Sequence, residues 1–212
     1  MKHARRQIWD ISAPLHNASP VYPGDTPFQQ TWTATIGPDC PVNVSKIELS
    51  PHVGTHADAP LHYDRAGQAM GEVDLEIYLG RCRVIHAIGC GTLIEWQDIA
   101  HAITPDLPPR VLVRTCAQVP QQWREDFSGF APETITRLAD LGVQLIGLDT
   151  PSVDPFASHS LASHMVVRAR DLRILESLVL DAVPEGDYEL IALPLKLIQA
   201  DASPVRAVLR SL

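Results

Sequence analysis

The chain has 212 residues, of which 45% are hydrophobic and 20% are charged, and its formal net charge at pH 7 is −8. This length and composition predict one globular domain, residues 1–212, that is large enough to bury a core. The negative net charge argues against a nucleic-acid-binding surface, and the chain has no run of eighteen apolar residues that would predict a membrane-spanning helix.

The N-terminal segment and the cysteines bear on the cellular compartment. Residues 1–6 are basic, but no apolar segment follows them, so a signal peptide is not expected. The four cysteines form no CxxC pair, which argues against a zinc knuckle and a dithiol redox motif. We therefore expect free cysteines in a reducing cytoplasm.

The pattern of apolar and β-branched residues predicts strands with two intervening helices. The part up to about Asp64 is rich in proline, threonine, valine and histidine, and it predicts loops with short strands such as Lys46–Ser50. Helices are predicted over Pro132–Leu141, with a glycine just past its end, and over Arg170–Val183, which stops before a proline. Later runs predict strands, several of them buried, at Cys82–Ile88, Arg110–Arg114, Val143–Leu148, Glu189–Leu195 and Val205–Leu209. This alternation predicts an α/β fold.

The segment His52–His62 carries three histidines and one aspartate within eleven residues. Imidazole and carboxylate are the ligands that hydrolytic zinc and manganese sites use. A glycine and a proline inside the segment argue against a helix, and in an extended chain His56, Asp58 and His62 can face the same side. A single histidine is usually structural, but this density of suitable ligands favours a metal site.

Glu176 is a further candidate ligand. On the predicted helix 170–183 it falls at the edge of the apolar arc, where an unpaired carboxylate would carry a desolvation penalty. A metal ion would remove that penalty. An equally weighted interpretation is a flanking glutamate that reaches water or pairs with Arg173.

Two histidines and two aspartates upstream of Glu176 are less distinctive. His159 and His164 could each be a distal ligand, but taken singly each is more often structural. Asp149 and Asp154 follow a predicted buried strand, and the ends of such strands are common places for sites. For Asp154, a turn with side-chain hydrogen bonds is the better interpretation.

The sequence HVGTHADAPLH of residues 52–62 resembles the HxGTHxDxPxH signature of the metal-dependent cyclase family, and within that family the chain is most similar to the bacterial kynurenine formamidases. The resemblance covers nearly the whole chain. The signature is highly specific for the family and less specific for the substrate. Further similar segments are Ile8–Ser12, Val21–Asp25, Gly147–Asp154 and the pair His164 and Glu176, which are twelve residues apart.

The resemblance implies a swivelling β/β/α fold, with a mixed β core and flanking helices, in a homodimer or higher oligomer. It also implies two zinc ions per subunit, although Mn²⁺ accepts the same ligands. One ion would be held by His52, His56 and Asp58. The other would be held by Asp58, His164 and Glu176, with Asp58 and Glu176 bridging the two ions.

The implied reaction is hydrolysis of N-formyl-L-kynurenine to L-kynurenine and formate, a step of tryptophan degradation. A water activated by the metal ions would attack the formyl carbon, and His62, left unligated, would act as the general acid and base. The resemblance places Tyr22 against the substrate, where relatives often carry Trp or Phe. Phe28 could also stack on the aryl ring, but core packing is the favoured interpretation for it.

Two other functions are compatible with these residues. One is a hydrolase of the same fold that opens a cyclic amide such as isatin, which would use the same metal chemistry. The other is a non-catalytic protein with a structural zinc ion. Structural sites use four saturating ligands, often cysteines, whereas this cluster lacks cysteine and leaves one histidine spare, which favours catalysis.

Overall fold

The computed structural model describes residues 6–212 and contains thirteen strands and three α-helices within that range. The strands are β1 (Ile8–Asp10), β2 (Gln29–Ala34), β3 (Val44–Glu48), β4 (His56–Asp58), β5 (Leu79–His86), β6 (Leu93–Ile94), β7 (Arg110–Arg114), β8 (Gly129–Phe130), β9 (Leu145–Leu148), β10 (Arg173–Glu176), β11 (Gly186–Ile191), β12 (Ala202–Pro204) and β13 (Val208–Arg210). The α-helices are α1 (Trp96–Ile99), α2 (Pro132–Asp140) and α3 (Ala162–Ala169).

Nine of the strands form one mixed sheet in the order β1-β13-β11-β5-β7-β9-β10-β4-β12. The four central strands, β5, β7, β9 and β10, are parallel to one another. The flanking pairs are antiparallel. Parallel neighbours need crossover connections, and α2 and α3 lie in the connections that lead to β9 and β10. The predicted α/β class is therefore confirmed.

The centre of the sheet is buried on both faces. Consecutive residues of β10 enter two different apolar clusters, Leu175 on one face and Ile174 on the other. The same alternation holds for Leu112 and Val113 on β7. The cluster that contains Ile174 also includes side chains of α2 and α3, so the helices cover that face of the sheet.

Most of the predicted elements are confirmed. The predicted strand Arg110–Arg114 has the bounds of β7, and the predicted helix Pro132–Leu141 ends one residue beyond α2. The other predicted strands overlap β3, β5, β9, β11 and β13, with ends that differ by a few residues.

The helix predicted over Arg170–Val183 is wrong. Helix α3 ends at Ala169, the chain turns through Asp171 with a φ of +53°, and the next residues form β10. Because β10 lies between β9 and β4 with both faces buried, its apolar residues run consecutively, and such a run cannot be distinguished from a buried helix by periodicity. Glu176 is therefore the last residue of a central strand.

The remaining general expectations concern cysteines and membranes. All four cysteines lie in the described part of the chain and are free. Within residues 6–212, no helix is long and apolar enough to cross a membrane. Residues 1–5, which make up most of the basic N-terminal segment, lie outside the described range.

We expect Gly129→Ala to lower the free energy of unfolding by about 1–3 kcal/mol, the usual cost of overpacking. A Cβ atom at Gly129 would lie 2.5 Å from the backbone oxygen of Val153, and backbone cannot move aside as a flexible side chain can. Gly91→Ala is the control, because a Cβ there meets nothing within 4 Å. Urea denaturation would measure both variants, and equal stabilities would contradict the prediction.

Candidate metal centre

Two neighbouring strands place three candidate ligands at one end of the sheet. Side chains alternate along β4, so His56 and Asp58 share one face while Ala57 enters the apolar core on the other. Strand β10 pairs with β4 so that Glu176 lies opposite His56, and cross-strand partners lie close together on the same face of a sheet. The extended or turning conformation expected for this segment is confirmed, since residues 56–58 form a strand and residues 60–62 form a 3-10 turn.

The other histidines reach this face from loops and from a helix. His52 lies in the turn before β4. Gly54, which has a φ of +70°, completes this turn. His62 ends the 3-10 turn that starts at Pro60 directly after β4. His164 is in the first turn of α3. Three separate segments of backbone, residues 52–62, the start of α3 and the end of β10, therefore supply the cluster.

The ligand atoms are separated by distances that suit a shared metal ion. His52 Nδ1 and His56 Nε2 lie 3.2 and 3.4 Å from Asp58 Oδ1. His56 Nε2 is also 3.3 Å from Glu176 Oε2, and His164 Nε2 is 3.7 Å from Asp58 Oδ2. Ligands about 2.1 Å from a zinc ion stand roughly 3.4 Å apart in a tetrahedral site, so these contacts have the spacing of atoms that face one ion.

The hydrogen bonding of the cluster also fits a metal ion. Among the described residues, His56 Nε2, His164 Nε2 and both carboxylate oxygens of Asp58 are buried polar atoms without a hydrogen-bond partner. Unsatisfied buried polar atoms are rare, and an ion is one of the recognised explanations. Several of these atoms face one another around the Asp58 carboxylate. This arrangement indicates a site built for a cation. The donor set of nitrogen and oxygen atoms matches the preference of zinc and manganese.

Outer hydrogen bonds orient the candidate ligands. His56 Nδ1 donates to the Gly54 carbonyl oxygen at 2.8 Å, so the lone pair of its Nε2 points into the cluster. His164 Nδ1 donates to Asp154 Oδ2 at 2.7 Å, with the same consequence. The backbone N–H of Val153 donates to Glu176 Oε1 at 2.8 Å, which leaves Oε2 directed at the histidines.

Three overlapping groups of side chains could each hold an ion. In each group the ligand atoms lie within 4.8 Å of one another. The groups are His52 with His56 and Asp58, His52 with His62 and Asp201, and Asp58 with His62 and His164.

The other residues singled out from the sequence lie around this cluster in different ways. His159 is exposed and belongs to none of these groups. Asp154 accepts the backbone N–H groups of Ser163 and His164 and so anchors the start of α3. Asp149 accepts three hydrogen bonds from Thr115 and one from the backbone N–H of Cys116. Its carboxylate ties the loop after β7 to the end of β9.

One interpretation of the sequence pairs Glu176 with Arg173. The structure does not contain this pair. The guanidinium of Arg173 instead donates to the Asp171 side chain at 2.8 Å. Strand geometry explains the difference, because residues three apart on a strand point to opposite faces. The Glu176 side chain is buried and faces His56.

In the metal-free centre, neighbouring groups of opposite charge shift the pKa values of the buried histidines and of Asp58. Burial alone lowers the pKa of His56, but the Asp58 and Glu176 carboxylates outweigh it and raise that pKa to about 10. Burial likewise lowers the pKa of His164, but the neighbouring Asp154 and Asp58 carboxylates outweigh it and raise that pKa to about 10. The surrounding imidazoles hold the pKa of the Asp58 carboxyl well below its usual value, against the effect of burial. Protons on the histidines thus supply the positive charge that a metal ion would bring.

The cluster opens into a cavity of about 810 Å³ whose wall carries several aromatic rings. Tyr22 lines it and is 42% exposed, with its ring centre 5.2 Å from that of Trp123 and 5.6 Å from that of Phe156. These rings come from three separate loops. Phe28, by contrast, is 6% exposed and lies among the buried hydrophobic residues, which agrees with core packing.

Sequence analysis missed several residues of this site. Asp201 accepts from His52 Nε2 at 3.0 Å and lies 3.4 Å from His62 Nδ1, although it is far from both in sequence. Trp123 and Phe156 form the aromatic wall with Tyr22. None of the three belongs to a local motif, so only the folded chain relates them to the cluster.

Comparisons with known proteins agree with this geometry. Residues 9–155 match the model of the Cyclase family. A kynurenine formamidase from Delftia acidovorans is 65% identical over 207 residues, which cover 98% of this chain and 99% of that protein. The structure of a predicted metal-dependent hydrolase from Bacillus stearothermophilus has a TM-score of 0.84 at 30% identity, covering 99% of this chain and 100% of that one. Isatin hydrolase A from Labrenzia aggregata shares the fold, with a TM-score of 0.82 at 22% identity over 97% of this chain and 94% of that one.

We expect Asp154→Asn to weaken metal binding roughly 10- to 100-fold, the usual cost of losing an outer carboxylate partner of a ligating histidine. An amide has only one oxygen, so it cannot accept from His164 at one position and from the backbone N–H of Ser163 at the other, as the two carboxylate oxygens do. Asp181→Asn is the control, because Asp181 lines the same cavity but accepts only from the backbone of Val119. Competition with a chromogenic chelator would give both affinities, and equal affinities would contradict the role of Asp154.

Metal binding should release protons at pH 7. The pKa values of His56 and His164 are about 10 in the metal-free protein, so both are protonated at neutral pH, whereas a ligating imidazole must be neutral. The apparent affinity should therefore rise as the pH rises toward 10. Calorimetric titration with Zn²⁺ in buffers of different ionisation enthalpy would count the protons. Binding without proton release would show that these histidines are not ligands.

Proposed function

The chain belongs to the Cyclase family, and we propose that within it the protein acts as a kynurenine formamidase, which hydrolyses N-formyl-L-kynurenine to L-kynurenine and formate. The observation that carries the proposal is the 65% identity with a kynurenine formamidase over 98% of this chain. The geometry agrees, because a buried cluster of histidines and carboxylates opens into an aromatic-walled cavity. The protein is thus a metal-dependent amidohydrolase.

We propose two zinc ions per subunit, with Mn²⁺ as the alternative metal. His52, His56 and Asp58 would hold one ion, and Asp58, His164 and Glu176 the other. The orientation of Asp58 supports this division, since its Oδ1 faces His52 and His56 while its Oδ2 faces His164. When bound, such ions lower the pKa of water toward neutrality and polarise a carbonyl group.

His62 is suited to move protons at the substrate. Its side chain is 34% exposed and lines the cavity, unlike the buried His56 and His164. A proton on Nδ1 can be donated to Asp201 at 3.4 Å, which leaves Nε2 to accept a proton from the attacking water. The aniline nitrogen is a poor leaving group unless it is protonated, so the same Nε2 would then donate its proton to that nitrogen.

The aromatic wall is suited to the aryl ring of the substrate. Tyr22, Trp123 and Phe156 present apolar faces to the cavity, and aromatic rings pack best in offset or edge-to-face arrangements. Binding of the ring here would direct the formamide toward the buried histidines. We assign Tyr22 to substrate binding and not to the chemical step.

Other parts of the proposal rest on the sequence, and the oligomeric state rests on the family resemblance. We propose that residues 1–212 form one catalytic domain, that the enzyme is a homodimer, and that it acts in the cytoplasm. Hydrolysis of a cyclic amide such as isatin is less well supported, because the likeness to isatin hydrolase A at 22% identity concerns the fold alone.

Hydrolysis of N-formyl-L-kynurenine, followed by the absorbance of kynurenine, tests the proposed function. We expect turnover that a chelator abolishes and that added Zn²⁺ restores, with the protein still folded after chelation. No turnover by a folded, metal-loaded protein would overturn the substrate assignment. A panel of cyclic amides would then show whether a ring-opening activity replaces it.

His62→Ala should retain its metal but lose roughly 10²–10⁴ in kcat, the usual contribution of general acid–base catalysis. His159→Ala is the matched control, because His159 is exposed and lies outside the cluster. Metal content and kcat would be measured together on both variants. Loss of metal from His62→Ala would mean that His62 is a ligand, and unchanged kcat would remove it from the proton transfer.

A further inference from the structure

The cavity has an uneven distribution of charge. Among the described residues that line it, Arg124 is the only lysine or arginine. The carboxylates that line it are Asp25, Asp126, Asp149, Asp154, Glu176, Asp181 and Asp201. An anionic group on a ligand would therefore be repelled along most of the wall, and outside the metal cluster it would be attracted at Arg124.

Most of these carboxylates already have partners. Asp149 and Asp181 accept backbone N–H groups of the loop after β7, while Asp154 and Asp201 accept from histidines. Asp126 differs, because its partner is Arg124 itself, which donates from Nε at 2.8 Å and from Nη2. The pair is a local unit of one cation and one anion at the wall of the cavity.

The Arg124–Asp126 pair has unused binding capacity. A guanidinium carries five N–H groups in a planar fork, and the contacts with Asp126 use only the edge formed by Nε and Nη2. The Nη1 edge remains available to a second carboxylate. The side chains are 61% and 67% exposed, so both are accessible to a ligand in the cavity. Such exposed pairs add little to stability.

The position of Arg124 relates it to the substrate expected here. It follows Trp123, whose ring packs edge-to-face with Tyr22 and Phe156 in the aromatic wall. The metal cluster is buried, with Asp58 at 0% exposure, whereas Arg124 is largely exposed, so the cavity has a buried chemical end and a charged outer end. The loop is held in place where Val119 donates to Asp181 at 3.1 Å.

We propose that Arg124 and Asp126 form a specificity subsite for the α-amino-acid end of the substrate, an inference that rests on the proposed function. Arg124 would bind the α-carboxylate through its free edge. Asp126 would accept from the α-ammonium group. N-formyl-L-kynurenine carries its formamide at one end of an aryl ketone and a zwitterionic amino acid at the other, which matches the two ends of the cavity.

Two substrates separate this subsite from the catalytic centre. N-formyl-L-kynurenine carries the amino-acid end, whereas 2-formamidoacetophenone keeps the ring, the ketone and the formamide but lacks it. We expect Arg124→Gln to lower kcat/KM for formylkynurenine about tenfold or more, chiefly through KM, because a charge-assisted hydrogen bond is lost. The value for 2-formamidoacetophenone should change less than about twofold, since that substrate never reaches the pair.

Arg206→Gln provides the matched control in the same metal-loaded enzyme. Arg206 also forms a two-pronged exposed pair, with Asp10, and it does not line the cavity. Arg206→Gln should leave both substrates unaffected. Equal losses on both substrates with Arg124→Gln, or no loss on either, would overturn the subsite while the proposed function stands. Turnover of neither substrate by the wild-type enzyme would overturn the function and the subsite with it.

Discussion

The carboxylate of Asp58 is the constraint on which the rest of the site depends. It is fully buried, and neither oxygen has a hydrogen-bond partner among the described residues. An ionised carboxylate in that position is strongly unfavourable unless cations compensate it. Imidazole nitrogens of His52, His56 and His164 approach it from both sides, and outer acceptors such as Asp154 fix their orientation. The centre is therefore compensated either by protons or by metal ions, and the ligand spacing suits the ions.

The sheet explains how these side chains meet. Parallel strands β5, β7, β9 and β10 deliver their carboxyl ends, and the loops that follow them, to one edge. Strand β4 then pairs antiparallel with β10, which brings His56 opposite Glu176 at that same edge. The loop after β9 contributes Asp154 and leads into α3, which carries His164. Strands with buried faces thus position His56, Asp58 and Glu176, and the adjoining turns and the first turn of α3 add the other histidines.

Local sequence signals point to the candidate ligands of residues 52–62 more clearly than to the distant candidates. The extended form of residues 56–58 follows from Gly54, Pro60 and the two-residue alternation, all of which are local signals. The sequence pattern predicts a helix at Glu176, because a strand that is buried on both faces lacks the two-residue alternation that would identify it as a strand. The candidate pair His164 and Glu176 was chosen by family resemblance, since the intervening turn through Asp171 leaves no periodic spacing. Asp201 and Trp123 carry no local signal, because only tertiary contacts bring them to the site.

The two ends of the cavity differ in how they are built, and this difference bears on how substrate choice arises in the fold. The buried end is centred on strand residues His56, Asp58 and Glu176, whereas the outer end includes the loop between β7 and β8, which is attached through side chains such as Asp149 and Asp181. Loops tolerate changes in sequence and length far better than central strands. The fold shared with isatin hydrolase A at 22% identity does not by itself fix what enters the cavity, because one fold can carry different sites. In this chain the loop supplies Trp123 and Arg124, the only arginine among the described residues that line the cavity, so one ring of the aromatic wall and the proposed carboxylate partner lie in one segment, separate from the residues that would hold the metal.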